Sequence, residues 1–147
     1  MIGKVLNKIM SQDNKIAHLG FIQNVISRMG NNSFFLKGWS ITLIAAIFAL
    51  SAKDANRCFV LFACFPVIAF WVLDAYFLHQ EKLFRQLYQD VAGDNISSDN
   101  FTMDTTTVKK KVVSACVVAF SKTLLLFHGV IILVVLFAIF VLMGRAN

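Results

Sequence analysis

An all-α membrane protein is the fold class this sequence predicts: three transmembrane helices, two of them extended into a short cytoplasmic helical bundle with an N-terminal helix. Two observations predict it. The 147 residues are 58% hydrophobic and only 15% charged, whereas soluble domains carry about 45–50% apolar and ~25% charged residues. Fifteen Phe stand against a single Pro, which favours long uninterrupted apolar helices over a loop-rich fold. This balance excludes disorder, a basic nucleic-acid-binding tail and an ordinary soluble enzyme.

The first apolar run, Phe34 to Ala52, has 19 residues and would rise about 28 Å as a helix, close to the ~30 Å hydrocarbon core. Span two covers 58–78, interrupted by Pro66 and Asp74, and span three covers 123–143, with His128 as its one ionisable residue. Residues 93–107, rich in Asp, Ser, Asn and Thr, read as an exposed loop or helix break. The N-terminus is polar and basic, with no cleavable leader pattern, so the first span itself directs insertion. Eleven Lys and Arg lie in 1–37 and 79–122, against three in 53–57 and at the C-terminus. The positive-inside rule then puts the N-terminus in the cytoplasm and the C-terminus in the periplasm or outside. A two-span alternative makes the first run a buried hairpin.

Helical patterning continues beyond the spans. Leu83, Phe84, Leu87, Tyr88 and Val91 form one helical stripe. Phe21, Ile22, Val25, Ile26 and Met29 form a second, and Val112, Val113, Cys116, Val117 and Phe120 a third. Three such faces are expected to pack on one another, since each alone leaves apolar area in water at ~25 cal/mol per Å². Continuous helices over 58–91 and 108–143 would be about 51 and 54 Å long, roughly four turns beyond the bilayer. Gly30-Asn31-Asn32 is expected to end the N-terminal helix (residues 1–32), and Ser33 to cap the first span, with the membrane domain covering 33–147. Ile2, Val5, Leu6 and Ile9 face away from Lys4, Lys8 and Lys15, which suits the anionic inner leaflet; a solvated segment or a subunit contact fits equally well.

Asp74 sits inside span two, where a charge is costly unless paired. Lys37 lies at a similar depth, so a Lys37–Asp74 pair is expected, either as a structural or snorkelling arrangement or as a water-accessible gate. Below it, Arg28, Asn31, Asn32 and Ser33 stand level with Tyr76, Gln80, Glu81 and Arg85. They form either a pocket for a small anionic ligand or a helix–helix hydrogen-bond network. Asp74, Leu78, Glu81 and Arg85 share a face, and Glu81–Arg85 has the favourable i, i+4 order. His128 reads as an interhelical hydrogen bond or a proton relay, and Gly129 beside it allows close helix approach. Lys109-Lys110-Lys111 reads as a topology anchor or a contact to anionic lipid, without the aromatics of a nucleic-acid surface. Trp39 and Trp71 read as interfacial belt residues. Cys58, Cys64 and Cys116 read as small core residues. No catalytic motif, metal-ligand spacing or cofactor motif is present, and three narrow helices need several copies to enclose a pathway.

The runs Phe21–Met29, Asn32-Ser33-Phe34, Lys37-Gly38-Trp39 and Asp74–Arg85 resemble small uncharacterised bacterial multi-span membrane proteins associated with TIR or nucleotide-signalling anti-phage defence systems. The resemblance covers about residues 18–90. It implies a non-enzymatic inner-membrane effector, triggered by a soluble signalling partner or a small anionic nucleotide, that compromises the membrane during infection. The expectation is therefore a homo-oligomer in the lipid bilayer that needs no cofactor and no nucleic acid. The alternative is a non-catalytic membrane anchor or assembly subunit recruiting a soluble partner. A secondary transporter subunit fits less well, because neither repeated halves nor broken midplane helices are present.

Overall fold

The computed structural model describes residues 2–54 and 62–144. The described residues are helical, with no strand: α1 (Ile2–Asp54), α2 (Cys64–Ala92), a 3-10 turn (Lys109–Lys111), α3 (Ala115–Ala119) and α4 (Lys122–Gly144). The chain divides into two compact units. One holds the residues up to Asn31 with Leu78–Val113, and the other holds Asn32–Phe77 with the residues from Ser114 onward.

α1 overturns the expected break at Gly30–Ser33. Its 53 residues run without interruption, no described glycine has positive φ, and Ser33 is an interior residue rather than a cap. A glycine inside a helix costs only about 1 kcal/mol, and the burial pattern outweighs that. His18, Ile22, Ile26, Ser33, Ser40, Ile44 and Ser51 are all buried. With half-buried Lys15, Met29, Lys37 and Ile47, they keep steps of three or four residues from 15 to 51. One helical face stays in phase throughout, so the capping residues have no helix end to cap.

The first unit is built around Ile22, Ile26, Leu83, Leu87, Val91 and Val108, with Leu19, Phe84, Tyr88, Ile96 and Val112 packed against them. The two expected stripes on α1 and α2 do pack together. Loop residues join them in place of a third helix. α2 ends in a Schellman arrangement: Asp94 is left-handed (φ 59°), its N–H donates to Val91 O, and the Asn95 N–H reaches back to Asp90 O at 2.8 Å. Lys15 Nζ seals this end, donating to Ala92 O at 2.8 Å and to Asp94 Oδ1 at 2.6 Å. Buried His18 donates from Nε2 to Thr102 O at 2.8 Å, which ties the 93–107 loop to α1.

The expected helix over 108–143 is replaced by shorter pieces. Val112 and Ser114 are extended, as suits a β-branched pair followed by a hydroxyl residue that competes for backbone bonds. α3 then stops at Phe120 before α4 begins. Val113, Cys116, Val117 and Phe120 are therefore exposed and do not share a buried stripe; Val108 and Val118 are buried instead. The core role expected of Cys116 fails for the same reason, while Cys64 is half-buried. Cys58, most of the 53–57 turn, the start of the second run and Arg145 lie outside the described residues. The stop after α3 leaves the Ala119 carbonyl without a helical partner, and the Trp71 indole N–H donates to it at 2.9 Å. Trp71 thus braces the second unit, while Trp39 is exposed.

The second unit has an apolar centre of Ile44, Ala63, Val67 and Val135, with Ile131, Ile132 and Ile139 against it. Pro66 is the third residue of α2, where its missing N–H removes no helical bond. Leu124, His128 and Val135 form the inward face of α4. Two described helices are long and apolar enough to cross a membrane, α1 over Ile2–Ser51 and α4 over Lys122–Val141.

Candidate functional site

Asp74 lies on α2 with none of its surface exposed. An ionised carboxylate only accepts hydrogen bonds, and this one takes three. Ser33 Oγ donates to Oδ1 at 2.5 Å, while Lys37 Nζ lies 2.6 Å from Oδ2. His128 Nε2 donates to the same Oδ2 at 3.0 Å. Lys37 also donates to Ser33 Oγ at 2.8 Å, closing a Ser33–Lys37–Asp74 ring. Ser33 and Lys37 are four residues apart on α1, so the uninterrupted helix through Gly30–Ser33 is what puts both on one side of Asp74.

The ring of His128 is held on three sides. It stacks on Trp71 at 6.0 Å and 13° and meets Phe127 edge to face at 5.0 Å. Donation from Nε2 to an acceptor-only carboxylate places a proton on Nε2. Nδ1 is buried and has no hydrogen-bond partner among the described residues. Lys37 Nζ lies 5.8 Å from the Phe127 ring centre, within cation–π range. The cluster therefore holds one buried carboxylate against one lysine and one imidazole, walled by aromatic rings. A carboxylate in such surroundings is retained only when paired and fully hydrogen-bonded, and this one is.

The Lys37–Asp74 pair is present as the sequence predicts, with Ser33 and His128 added to it. The signal for Ser33 was its i, i+4 spacing to Lys37, which the capping interpretation obscured. His128 was singled out, but nothing in the linear pattern pairs residues 54 positions apart. The residues expected to form an anion pocket, Arg28, Asn31, Asn32 and Ser33 with Tyr76, Gln80, Glu81 and Arg85, are divided between the two units. Within the first unit, Arg85 Nε donates to Glu81 Oε1 at 2.8 Å, and Arg28 is exposed. Gln80 is half-buried and makes no side-chain hydrogen bond among those described. Within the second unit, Asn32 is half-buried and Tyr76 is exposed, edge to face on Phe77.

Two ion pairs in the first unit, Lys15–Asp94 and Lys111–Asp90, do not follow from the sequence pattern. Lys111 Nζ lies 2.6 Å from Asp90 Oδ2 and holds that carboxyl below its ordinary range, helped by Gln86. The Lys109–Lys111 run thus has one member engaged within the protein. Asp104 is also held low, by the side-chain and backbone donors of Thr106. No group of three His, Cys, Asp or Glu side chains able to hold a metal occurs among the described residues. Comparison with protein families, curated proteins and solved structures found no match to this chain.

Proposed function

We propose that this chain is a three-span bacterial inner-membrane protein, N-terminus in the cytoplasm, that acts as a homo-oligomeric effector perturbing membrane integrity when triggered. The observation that carries this reading is the fully buried Asp74 carboxylate held by Ser33, Lys37 and His128 between helices with an apolar exterior. Charge inside an apolar helical unit is costly and marks the place where packing can switch. Three donors converge on one carboxylate, so withdrawing any one leaves a buried polar group unpaired, and the helices repack to relieve it. The cluster is accordingly the lock on a resting state. A soluble signalling partner or small anionic nucleotide acting on the cytoplasmic helices supplies the trigger, and the defence setting follows from the resemblance of residues 18–90.

The test is expression in bacteria with a potential-sensitive dye. Asp74→Asn keeps the shape and removes the charge that Lys37 needs, so cells carrying it should lose membrane potential without a trigger, at wild-type membrane levels. An unchanged potential at equal membrane levels removes the lock reading and leaves the non-catalytic anchor, for which partner recruitment is then the readout.

A further inference from the structure

A groove of about 790 Å³ opens on the second unit between α1 and α4. Its mouth carries Lys37, Lys122 and Thr123, and its walls are Ile41, Leu126, Phe127, Val130 and Ile131. A second hollow of about 250 Å³ shares Ile41, Val130 and Ile131 and extends the walls to Ala45, Phe48 and Val134. The two hollows share these three residues as a common wall, with both lysines lining the first and only hydrocarbon side chains lining the second. From Lys37 to Phe48 on α1, and from Lys122 to Val134 on α4, the two hollows together run about 16–18 Å at 1.5 Å per residue. One leaflet of hydrocarbon is about 15 Å, half of the ~30 Å core.

We propose that this groove is a binding site for one anionic phospholipid, its acyl chain along Ile41, Val130 and Ile131 and its phosphate at Lys37 and Lys122. The assignment rests on the membrane placement proposed above and on no part of the effector mechanism. Charge decides the class of lipid. Lys37 is neutralised by Asp74 and gives two of its three N–H donors to Asp74 and Ser33, leaving one for a phosphate oxygen. Lys122 is exposed and has no acidic partner among the described residues, so it supplies the net positive charge. Thr123 adds a neutral hydroxyl donor. A headgroup with net negative charge matches this mouth, and a zwitterionic one leaves the Lys122 charge unmet. The phosphate at Lys37 also sits next to the Asp74 cluster, so bound lipid adds an acceptor to the same ammonium that Asp74 uses.

The experiment is lipid retention by the purified, delipidated full chain in mixed micelles holding equal amounts of phosphatidylglycerol and phosphatidylcholine, with bound lipid counted by native mass spectrometry. Wild type should retain phosphatidylglycerol about fivefold over phosphatidylcholine, the preference one added lysine gives near an anionic surface. Lys122→Gln should erase that preference, and Lys122→Arg should keep it. Val130→Trp fills the groove without touching either lysine and should lower retention of both lipids. Equal retention by wild type overturns the proposal, as does a preference that survives Lys122→Gln. Displacement of the lipid by inorganic phosphate shows a headgroup site without an acyl channel and also overturns it. Membrane potential plays no part in this readout, so failure here and failure of the effector reading are separable.

Discussion

In the first unit the deepest side chains are mainly Ile22, Leu87, Val91 and Val108, and its ion pairs, Lys15–Asp94, Arg85–Glu81 and Lys111–Asp90, each keep one partner at least half exposed. In the second unit Asp74, His128 and Ser40 are among the deepest, and Phe65, Leu126, Phe137 and Phe140 are each more than two-thirds exposed. The first arrangement is what water selects, because apolar area is driven inward and charge stays hydrated. The second suits hydrocarbon under the membrane placement proposed above: apolar side chains lose nothing by facing outward, and the Asp74 carboxylate finds three partners inside, while Ser40 Oγ and His128 Nδ1 have none among the described residues. The difference teaches that α1 and α2 each contribute to two units that bury and expose different kinds of side chain, and the membrane placement proposed above accounts for that difference. The N-terminal part of α1 departs from this pattern. Ile2, Val5, Leu6, Ile9, Met10, Ile16 and Phe21, in the first unit, are all at least half exposed, and the row Ile2, Val5, Leu6 and Ile9 beside Lys4 and Lys8 has the composition of a segment lying on an anionic membrane surface.

The largest effect should come from the buried Asp74 cluster of the second unit. Asp74→Ala leaves Lys37 without its counter-charge and is expected to cost about 3–5 kcal/mol, read from unfolding in mixed micelles. Lys37→Met combined with Asp74→Leu should recover most of that loss, because removing both members of a buried pair is far milder than removing one. If the single and double variants are equally unstable, the cluster is not held by the pair, and the contrast between the units loses its main support.

A matched pair of substitutions tests the solvent directly. Leu133 and Ile16 are 67% and 64% exposed, in the second and first unit respectively. Leu133→Lys should cost about 2.5–3.5 kcal/mol in lipid, and Ile16→Lys should stay within about 0.5 kcal/mol. Insertion and unfolding measurements in bilayers read both, and equal small costs would mean that the second unit does not face hydrocarbon.

The smallest effect is on the acid side of the first unit. Asp90, paired with Lys111, and Asp104, bonded by Thr106, have carboxyls held below their ordinary value of 3.8. Their contribution to stability is complete above the unfolded-state value of about 3.9 and is lost as pH falls through the folded values. Unfolding followed below about pH 4 should therefore show a declining limb, shallower in Lys111→Met, whose Asp90 titrates nearer its ordinary value by carboxyl NMR. An identical limb in that variant would remove Lys111 as the cause.

Much of the architecture was legible because it follows from repeating patterns. From the two stripes, Ile22 and Ile26 on α1 and Leu83, Leu87 and Val91 on α2 do form the first core, while Phe21 is exposed, and the end of α2 at Ala92 lies one residue beyond its predicted limit. Local signals failed where burial overrode them. Gly30, Asn31, Asn32 and Ser33 form a sound capping sequence, yet the inward face of α1 runs through them in phase. Conversely, the apolar spacing of Val112–Phe120 promised a helix that β-branching and Ser114 interrupt. At the candidate site, the cost of a lone charge in an apolar run pointed to Asp74 and Lys37. His128 and the Lys122 mouth of the groove depend on α4 being set against α1 and α2.

What the sequence alone determined was where charge is scarce, hence which stretches are helical and apolar and which carboxylate demands a partner. These are properties of composition and period, read one residue or one turn at a time. The tertiary structure decided which donors meet Asp74, whether Ser33 ends a helix or lines its inward face, and where a groove is lined by both lysines. Those outcomes depend on contacts between segments dozens of residues apart, whose pairing energy no local pattern records.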